Sequence, residues 1–203
     1  MGVAGVRFFG RLTALALFLE LSTPVPAQLH PTAIDAHRAG APVTTIIEFG
    51  EQYLGSELYD AKITVVEVVR GEKAWDIVRR ANASNLPPKT GFEYVLARIR
   101  FQFSARTQPA NDTYNIDPSQ FAATDSTGAE LAAATVAEPP EPILKGALKA
   151  GDWIEGWVVF LVPRNISKPL MIFREDVGTV SHRGGGTWFQ LYSSSATSAS
   201  AKP

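Results

Sequence analysis

A chain of 203 residues with 45% hydrophobic side chains is long enough to bury one core, and its length favours one domain over two. Its 19 lysine and arginine residues are balanced by 20 aspartate and glutamate residues, so there is no broad positive field and we expect no nucleic-acid partner. The absence of cysteine excludes disulfides, thiolate nucleophiles, thiolate metal sites and lipid attachment at a cysteine.

The first residues have the pattern of a signal peptide. Arg7 and Arg11 precede the mainly apolar run Leu12–Leu21, and small Ala27 suits a signal peptidase. An uncleaved anchor is the alternative, but ten residues are too few for a bilayer core that needs about 20. We therefore predict a signal peptide over residues 1–27, no transmembrane segment after cleavage, and a secreted or periplasmic protein.

Both ends of the remaining chain have the composition of loose segments. Residues 28–44 are rich in alanine and proline without a sustained period, which predicts a flexible leader. Ser193–Pro203 is almost entirely serine, alanine and threonine and buries too little apolar surface to offset its ordering entropy, so we predict a disordered tail. The folded domain is expected over residues 45–192.

Two strands and one helix open this domain. Thr44–Phe49 and Ala61–Val69 are dense in β-branched residues, which predicts strands. After Gly71, alanine and branched residues recur at helical spacing, so the sequence predicts a short helix over Glu72–Ala81.

The next segment alternates between apolar and polar residues over Phe92–Ser104. Arg98, Arg100 and Gln102 fall on one side, and the apolar side is formed by Val95, Ala97, Ile99, Phe101 and Phe103. A strand that is apolar on one side and wet on the other belongs to an antiparallel sheet whose second face meets solvent.

Turns and short strands fill the second half of the domain. Asp125–Gly128 has turn chemistry after a strand that ends at Thr124, and a hairpin strand is expected over 130–136. The prolines of 138–142 lack N–H donors, so that stretch is expected to be an extended surface loop. Trp153–Val162 predicts a central strand, and two shorter runs follow it at 169–173 and 187–192. The fold class that follows is all-β, an immunoglobulin-like antiparallel β-sandwich of about 7–8 strands with one short helix.

Several framework marks stand along the chain, each a glycine or turn beside a strand. They are Ile63–Val65, Gly71–Trp75, Asn85–Pro88, Gly91–Leu96, Phe121, Asp125–Gly128, Gly156–Phe160 and Val162–Pro163. Over residues 60–192 they resemble a family of secreted or lipid-anchored bacterial proteins of unknown function with a telokin-like, immunoglobulin-type sandwich, related to a mycobacterial secreted immunoprotective antigen. The resemblance implies a module that binds or decorates at the cell envelope, although this chain lacks the cysteine of the lipid-anchored members.

Histidines and glycines give little sign of a catalytic or zinc site. His182–Gly186 resembles the glycine-rich oxyanion loop of esterases, but the chain has no Gly-x-Ser-x-Gly elbow, so a flexible turn is the better interpretation. His30 and His37 lie in the predicted leader and His182 stands alone, so no zinc site is expected.

Carboxylates leave two alternatives open. Asp112, Asp117, Asp125 and Glu130 are expected in or near loops and could form an oxygen-only calcium site, although solvated turn formers explain them as well. Asp152 and Glu155 could form a catalytic pair, but a turn at Gly151–Asp152 and a strand position for Glu155 explain them more simply.

Aromatic residues are the last signal, because exposed tryptophan and tyrosine anchor binding surfaces or stack on sugars. Most of them are expected in the core, and the sequence does not distinguish the exposed ones. The candidates are Trp75, Trp153, Trp157, Trp188, Tyr94 and Tyr192.

These observations favour an exported, non-catalytic binding or structural module without a cofactor or metal, whose partner is another protein or an envelope polymer. Two alternatives stay open. One is a hydrolase with a loop-built carboxylate site, and the other is a small-ligand carrier with a pocket under the helix Glu72–Ala81.

Overall fold

The computed structural model describes residues 36–49, 57–106, 112–175 and 186–192. The predicted signal peptide, residues 28–35 of the predicted leader, His182 and the predicted tail lie outside the described residues. Within the described part of the chain, no helix is long and apolar enough to cross a bilayer. The elements are β1 (Val43–Phe49), β2 (Glu57–Arg70), α1 (Glu72–Ala81), β3 (Phe92–Ala105), β4 (Thr113–Ile116), β5 (Phe121–Thr124), β6 (Gly146–Lys149), β7 (Trp153–Pro163), β8 (Leu170–Phe173) and β9 (Thr187–Gln190).

Four strands form one antiparallel sheet in the order β1-β2-β3-β7. The predicted alternation in β3 is confirmed, with Ile99 and Phe101 buried on the inner face and Arg100 on the outer face. Pairing of β2 with β3 is continuous apart from a register shift between Val65 and Glu67. The inner face is the side that meets the second layer of the sandwich, and the outer face is the opposite side.

The second layer consists of the three-stranded sheet β5-β8-β9 and the two-stranded sheet β4-β6, both antiparallel. Side chains from all three sheets meet in one core, where Phe103 stacks on Tyr59 and on Tyr114 with ring centroids 4.7 and 5.5 Å apart. Each fully buried large apolar side chain in it contributes about 1.5–3 kcal/mol. The chain is therefore an all-β, immunoglobulin-like antiparallel sandwich with one helix, as predicted, with nine strands described instead of seven or eight.

The helix α1 begins and ends at the predicted residues and lies on the outer face. Its buried residues Ala74 and Val78 pack on Tyr94 and Leu96 of β3. These four side chains occupy the space in which a ligand carrier would have its pocket. The helix therefore covers one end of the outer face and leaves the other end open.

Residues 130–136 form no continuous strand, so the predicted hairpin strand is wrong. Leu131 donates its N–H to the carbonyl of Ala123 in β5 at 2.9 Å, whereas Ala133 forms an isolated bridge with Phe160 in β7. The segment crosses from one layer to the other and cannot stay in register with either strand.

The last proline of the predicted surface loop lies along the edge of β7. Trp157 donates its N–H to the carbonyl of Pro142 at 2.8 Å, and Leu144 donates to the carbonyl of Trp157 at 3.3 Å. This close approach requires a glycine, because a Cβ on Gly156 would lie 2.3 Å from the Leu144 nitrogen and 2.4 Å from the Ile143 carbonyl carbon. The edge of β7 is thereby covered by the chain itself.

The last part of the predicted leader crosses between the two layers. His37 forms a parallel bridge with Phe189 of β9, and Gly40 donates its N–H to the carbonyl of Val65 in β2 at 2.8 Å. Gly40 has a φ of 87°, a left-handed conformation that suits glycine. Backbone contacts with the sandwich therefore begin several residues before the predicted boundary at residue 45.

Candidate functional site

The end of the outer face that α1 leaves uncovered is a polar surface with one exposed aromatic ring. Trp153 is 59% exposed, and it is the exposed residue among the six aromatics singled out by the sequence. Residues opposite each other on neighbouring strands share a face, so the strand register defines this surface. The open face consists of Asp60, Lys62, Thr64 and Glu67 on β2, Arg98, Arg100 and Gln102 on β3, and Trp153, Glu155 and Trp157 on β7.

Glu155 lies between two arginines at the centre of the open face. The register places Glu155 opposite Arg100, and Arg98 opposite Trp157. The Nε atom of Arg98 lies 2.7 Å from Oε1 of Glu155, and Nη2 of Arg100 lies 2.8 Å from Oε2. Both carboxylate oxygens are therefore engaged, and the Glu155 side chain is only 12% exposed. This geometry makes Glu155 the centre of an ion-pair network.

Both guanidinium groups also lie near tryptophan rings. Arg100 is 5.5 Å from the ring centroid of Trp153, and Arg98 is 5.9 Å from that of Trp157. Cation–π contacts at exposed positions stabilise by about 0.5–1 kcal/mol each. The indole of Trp153 is therefore oriented by the sheet although most of it remains in water.

The structure places the two carboxylates of the hydrolase alternative in structural roles. Asp152 accepts the N–H of Lys149 at 2.8 Å and closes the turn between β6 and β7. Glu155 is held by its two arginines. Neither carboxylate is arranged as one half of an acid–base pair.

The four acidic residues considered for calcium are not brought together. Asp112 contacts a tyrosine hydroxyl, Asp117 caps a 3-10 turn, Asp125 closes its own turn, and Glu130 forms an ion pair with Arg174. Among the residues that the structure describes, no three histidine, aspartate or glutamate side chains converge in a way that could hold a metal ion.

The Tyr59 hydroxyl lies between two acidic side chains, those of Glu57 and Asp112. The hydroxyl is 2.8 Å from Oε2 of Glu57 and 3.0 Å from Oδ2 of Asp112. Burial, followed by the hydrogen bond to Glu57, raises the pKa of Tyr59 to about 12. The hydroxyl therefore stays protonated at neutral pH and acts as a structural donor.

Asp117 is the cap of the 3-10 turn Pro118–Gln120. Its carboxylate accepts the N–H of Ser119 at 3.0 Å and the hydroxyl of Ser119 at 2.7 Å, and it lies 3.1 Å from Nζ of Lys145. These contacts, with the Ser119 N–H as the largest cause, hold the pKa of Asp117 below its ordinary value.

We expect Asp117→Ala to lower the free energy of unfolding at neutral pH by about 1 kcal/mol, as for other lost caps. Because the pKa is lowered in the folded state, the carboxylate stabilises above the unfolded-state pKa of about 3.9 and loses this effect as the pH falls through the folded-state value. Urea unfolding at neutral pH and at about pH 3 measures the free energies of unfolding of the original protein and of Asp117→Ala. The difference between them should be smaller at the lower pH. Asp76→Ala, in an exposed pair with Arg79, is the control, and a pH-independent gap for Asp117→Ala would contradict the prediction.

A surface cavity of about 550 Å³ lies between the turn at Asp125 and the loop after β7. The carboxylate of Asp125 is engaged by Thr127 and Ala129, which leaves it committed to its own turn. Arg70 fixes the loop by donating to the carbonyl of Ser167 at 3.0 Å. The Asp125 carboxylate and the Ser167 carbonyl thus serve the loops that form this cavity, and the open face, with its exposed tryptophan, is the stronger candidate.

Comparison with known proteins supplies a family match. The family model described as "Domain of unknown function (DUF4352)" matches residues 57–182. This range begins with β2 and includes α1, β7 and β8, so it contains the whole open face. No curated protein matches the sequence, and no solved structure matches it.

Proposed function

Because the chain belongs to the DUF4352 family of domains of unknown function, the chemistry of its surface has to suggest the role, and we propose an exported, non-catalytic binding module that holds its partner on the open face. The observation that carries this proposal is Trp153, a tryptophan oriented by Arg100 and left 59% exposed in an ordered sheet. Tryptophan and arginine are the residue types that most often dominate binding energy.

Two of the three carboxylates in the open face, those of Glu155 and Asp60, are committed to ion pairs, which supports a non-catalytic role for that surface. General acid–base catalysis requires a group that can exchange its proton within reach of a substrate. Glu155 is held by two arginines, and Asp60 is paired with Arg106 at 2.6 Å. These acidic groups stabilise the surface and orient its cations.

Export is the second part of the proposal, and it is supported by the signal-peptide pattern of residues 1–27. The proposal includes a secreted or periplasmic location, a telokin-like arrangement and a relation to the mycobacterial secreted immunoprotective antigen. Framework marks such as Gly71–Trp75 and Gly156–Phe160 support that relation. Sequencing of the mature N-terminus tests export, since Gln28 would support it and Met1 would contradict it.

We expect Trp153→Ala to abolish partner capture while changing the free energy of unfolding by less than about 1 kcal/mol, because the ring is mostly in water. The chain without its signal peptide would be immobilised and exposed to envelope and culture fractions of the native organism. Eluates would be analysed by mass spectrometry for proteins and by sugar analysis for polymers.

Leu86→Ala is the matched control for this experiment. Leu86 is 74% exposed and lies in the loop after α1, outside the open face, so its loss removes exposed apolar surface elsewhere. Capture that survives Trp153→Ala, or that fails equally in both variants, would contradict the assignment of binding to the open face.

A further inference from the structure

The charges on the open face cancel and are largely paired. Arg106 adds a cation at the rim through Asp60, and Glu48 of the neighbouring strand adds an acid, so the balance holds across a wider area. A surface without net charge does not select an anionic or a cationic polymer by its field. Within the open face, the cations are Lys62, Arg98 and Arg100 and the acids are Asp60, Glu67 and Glu155.

The same charges disfavour a dry protein interface. Interface cores are depleted of charged residues, whereas the exposed ring of Trp153 is surrounded by them. Covering the network of Arg98, Glu155 and Arg100 with an apolar surface would take three charges out of water, which costs several kcal/mol per ion unless new partners replace the solvent. A suitable partner must offer hydrogen-bonding groups over most of its contact surface. It needs an apolar patch only where it covers the ring of Trp153.

Unused polar groups lie directly beside that ring. The register places Gln102 opposite Trp153 on one side and opposite Lys62 on the other, so the three side chains form a row across three strands. Within the described residues, the side chains of Lys62, Thr64 and Gln102 make no hydrogen bond to protein. Each has at least one donor, and Thr64 and Gln102 can also accept.

We propose that the open face is a carbohydrate-binding site whose ligand is an uncharged polysaccharide; this inference rests on the proposed binding function and names its ligand class. One face of a pyranose ring carries C–H groups, which pack on the exposed indole of Trp153. The hydroxyls at its rim bond to Gln102 and Lys62. They also bond to guanidinium N–H groups of Arg100, and the ion pair with Glu155 is kept.

Affinity electrophoresis of the chain without its signal peptide tests this inference. The gels would contain a neutral polysaccharide, namely dextran, laminarin, xyloglucan or soluble glycol chitin, or polygalacturonate as an acidic polymer. We expect at least one neutral polysaccharide to retard the protein, with retardation unchanged between about 50 mM and about 500 mM NaCl because no charge on the ligand is screened.

Two variants of the open face and one control give the residue-level result. Trp153→Ala should weaken binding by about 30-fold or more, as for a hot-spot tryptophan. Gln102→Ala should weaken it by about 5-fold to 10-fold through one lost hydrogen-bonding group. Leu86→Ala should bind as the original protein does, and equal thermal midpoints would show that all three variants are folded.

The result also separates this inference from the proposed function. Retardation by none of the neutral polysaccharides, or salt-sensitive retardation by polygalacturonate alone, overturns the carbohydrate inference. If a protein partner is nevertheless captured from the organism and lost in Trp153→Ala, the binding function stands with a different ligand class. If neither assay shows binding that depends on Trp153, both proposals fail.

Discussion

Replacing Gly156 by alanine is expected to lower the free energy of unfolding by about 3 kcal/mol, which corresponds to a fall in thermal midpoint of about 6–12 °C. The added Cβ would lie 2.3 Å from the nitrogen of Leu144 and 2.4 Å from the carbonyl carbon of Ile143. These are backbone atoms of a segment that makes two hydrogen bonds to Trp157, one through the Pro142 carbonyl and one through the Leu144 N–H. The segment cannot move away without losing these hydrogen bonds.

Gly146→Ala is the matched control, since it adds the same methyl group to a neighbouring strand. The nearest atom there is Cδ1 of Ile154 at 3.3 Å, the end of a flexible side chain that can shift. We expect a loss of less than about 1 kcal/mol for this control. Urea midpoints measure both variants, and an unchanged midpoint for Gly156→Ala would mean that the segment 142–144 does not hold its place against β7.

Asn85→Ala is expected to cost about 3 kcal/mol, because Asn85 is 4% exposed and satisfies several backbone groups at once. Its side-chain amide donates to the carbonyls of Val78 and Glu138, both at 2.8 Å. Its carbonyl oxygen accepts the N–H of Ala137 at 2.7 Å and the N–H of Glu138 at 3.2 Å. One residue thus joins the end of α1 to the segment that precedes the proline-rich loop.

Asn85→Asp tests the amide N–H donors of Asn85 separately from the size and shape of its side chain. The aspartate keeps the size and the acceptor but places an oxygen against the carbonyls of Val78 and Glu138, so it should destabilise at least as much as alanine. Asn82→Ala is the control, since the partly exposed side chain of that neighbour donates to the Glu138 side chain and accepts the N–H of Ser84. Chemical denaturation compares the variants, and a stable Asn85→Asp protein would refute the role given to the amide donors.

The long elements could be predicted from the sequence because their periods are unbroken. The strand Phe92–Ala105 alternates between buried and more exposed side chains from Ala97 onward, and the helix Glu72–Ala81 repeats its apolar stripe over 10 residues. The four-residue strands β4 and β6 are too short to show a period and form through their mutual pairing. The segment 130–136 has strand composition, but its bonds go to two different sheets, and composition alone cannot show that.

The open face was only partly predictable. Alternation along β3 correctly places Arg98 and Arg100 on a wet face. Their ion pairs with Glu155 depend on the register between strands more than 50 positions apart in the chain, which one sequence does not reveal. Trp153 and Trp157 share a face of β7, yet only Trp157 packs with the cluster beneath α1, so the position of the helix decides which ring is exposed.

The register shift in β2 affects how molecules of this protein meet one another. Pairing with β1 ends at Ile63, and beyond it Gly40 supplies the one backbone bond that the described residues make to this side of β2. A straight, unpaired strand border of this kind is a template for edge-to-edge polymerisation. The bulge at Val66, whose side chain is 42% exposed, lies in the pairing of β2 with β3. A bulge bends its strand and increases the local twist, so the other border of β2 is bent as well. We therefore expect this border to be a poorer template for a second molecule than a straight strand would be.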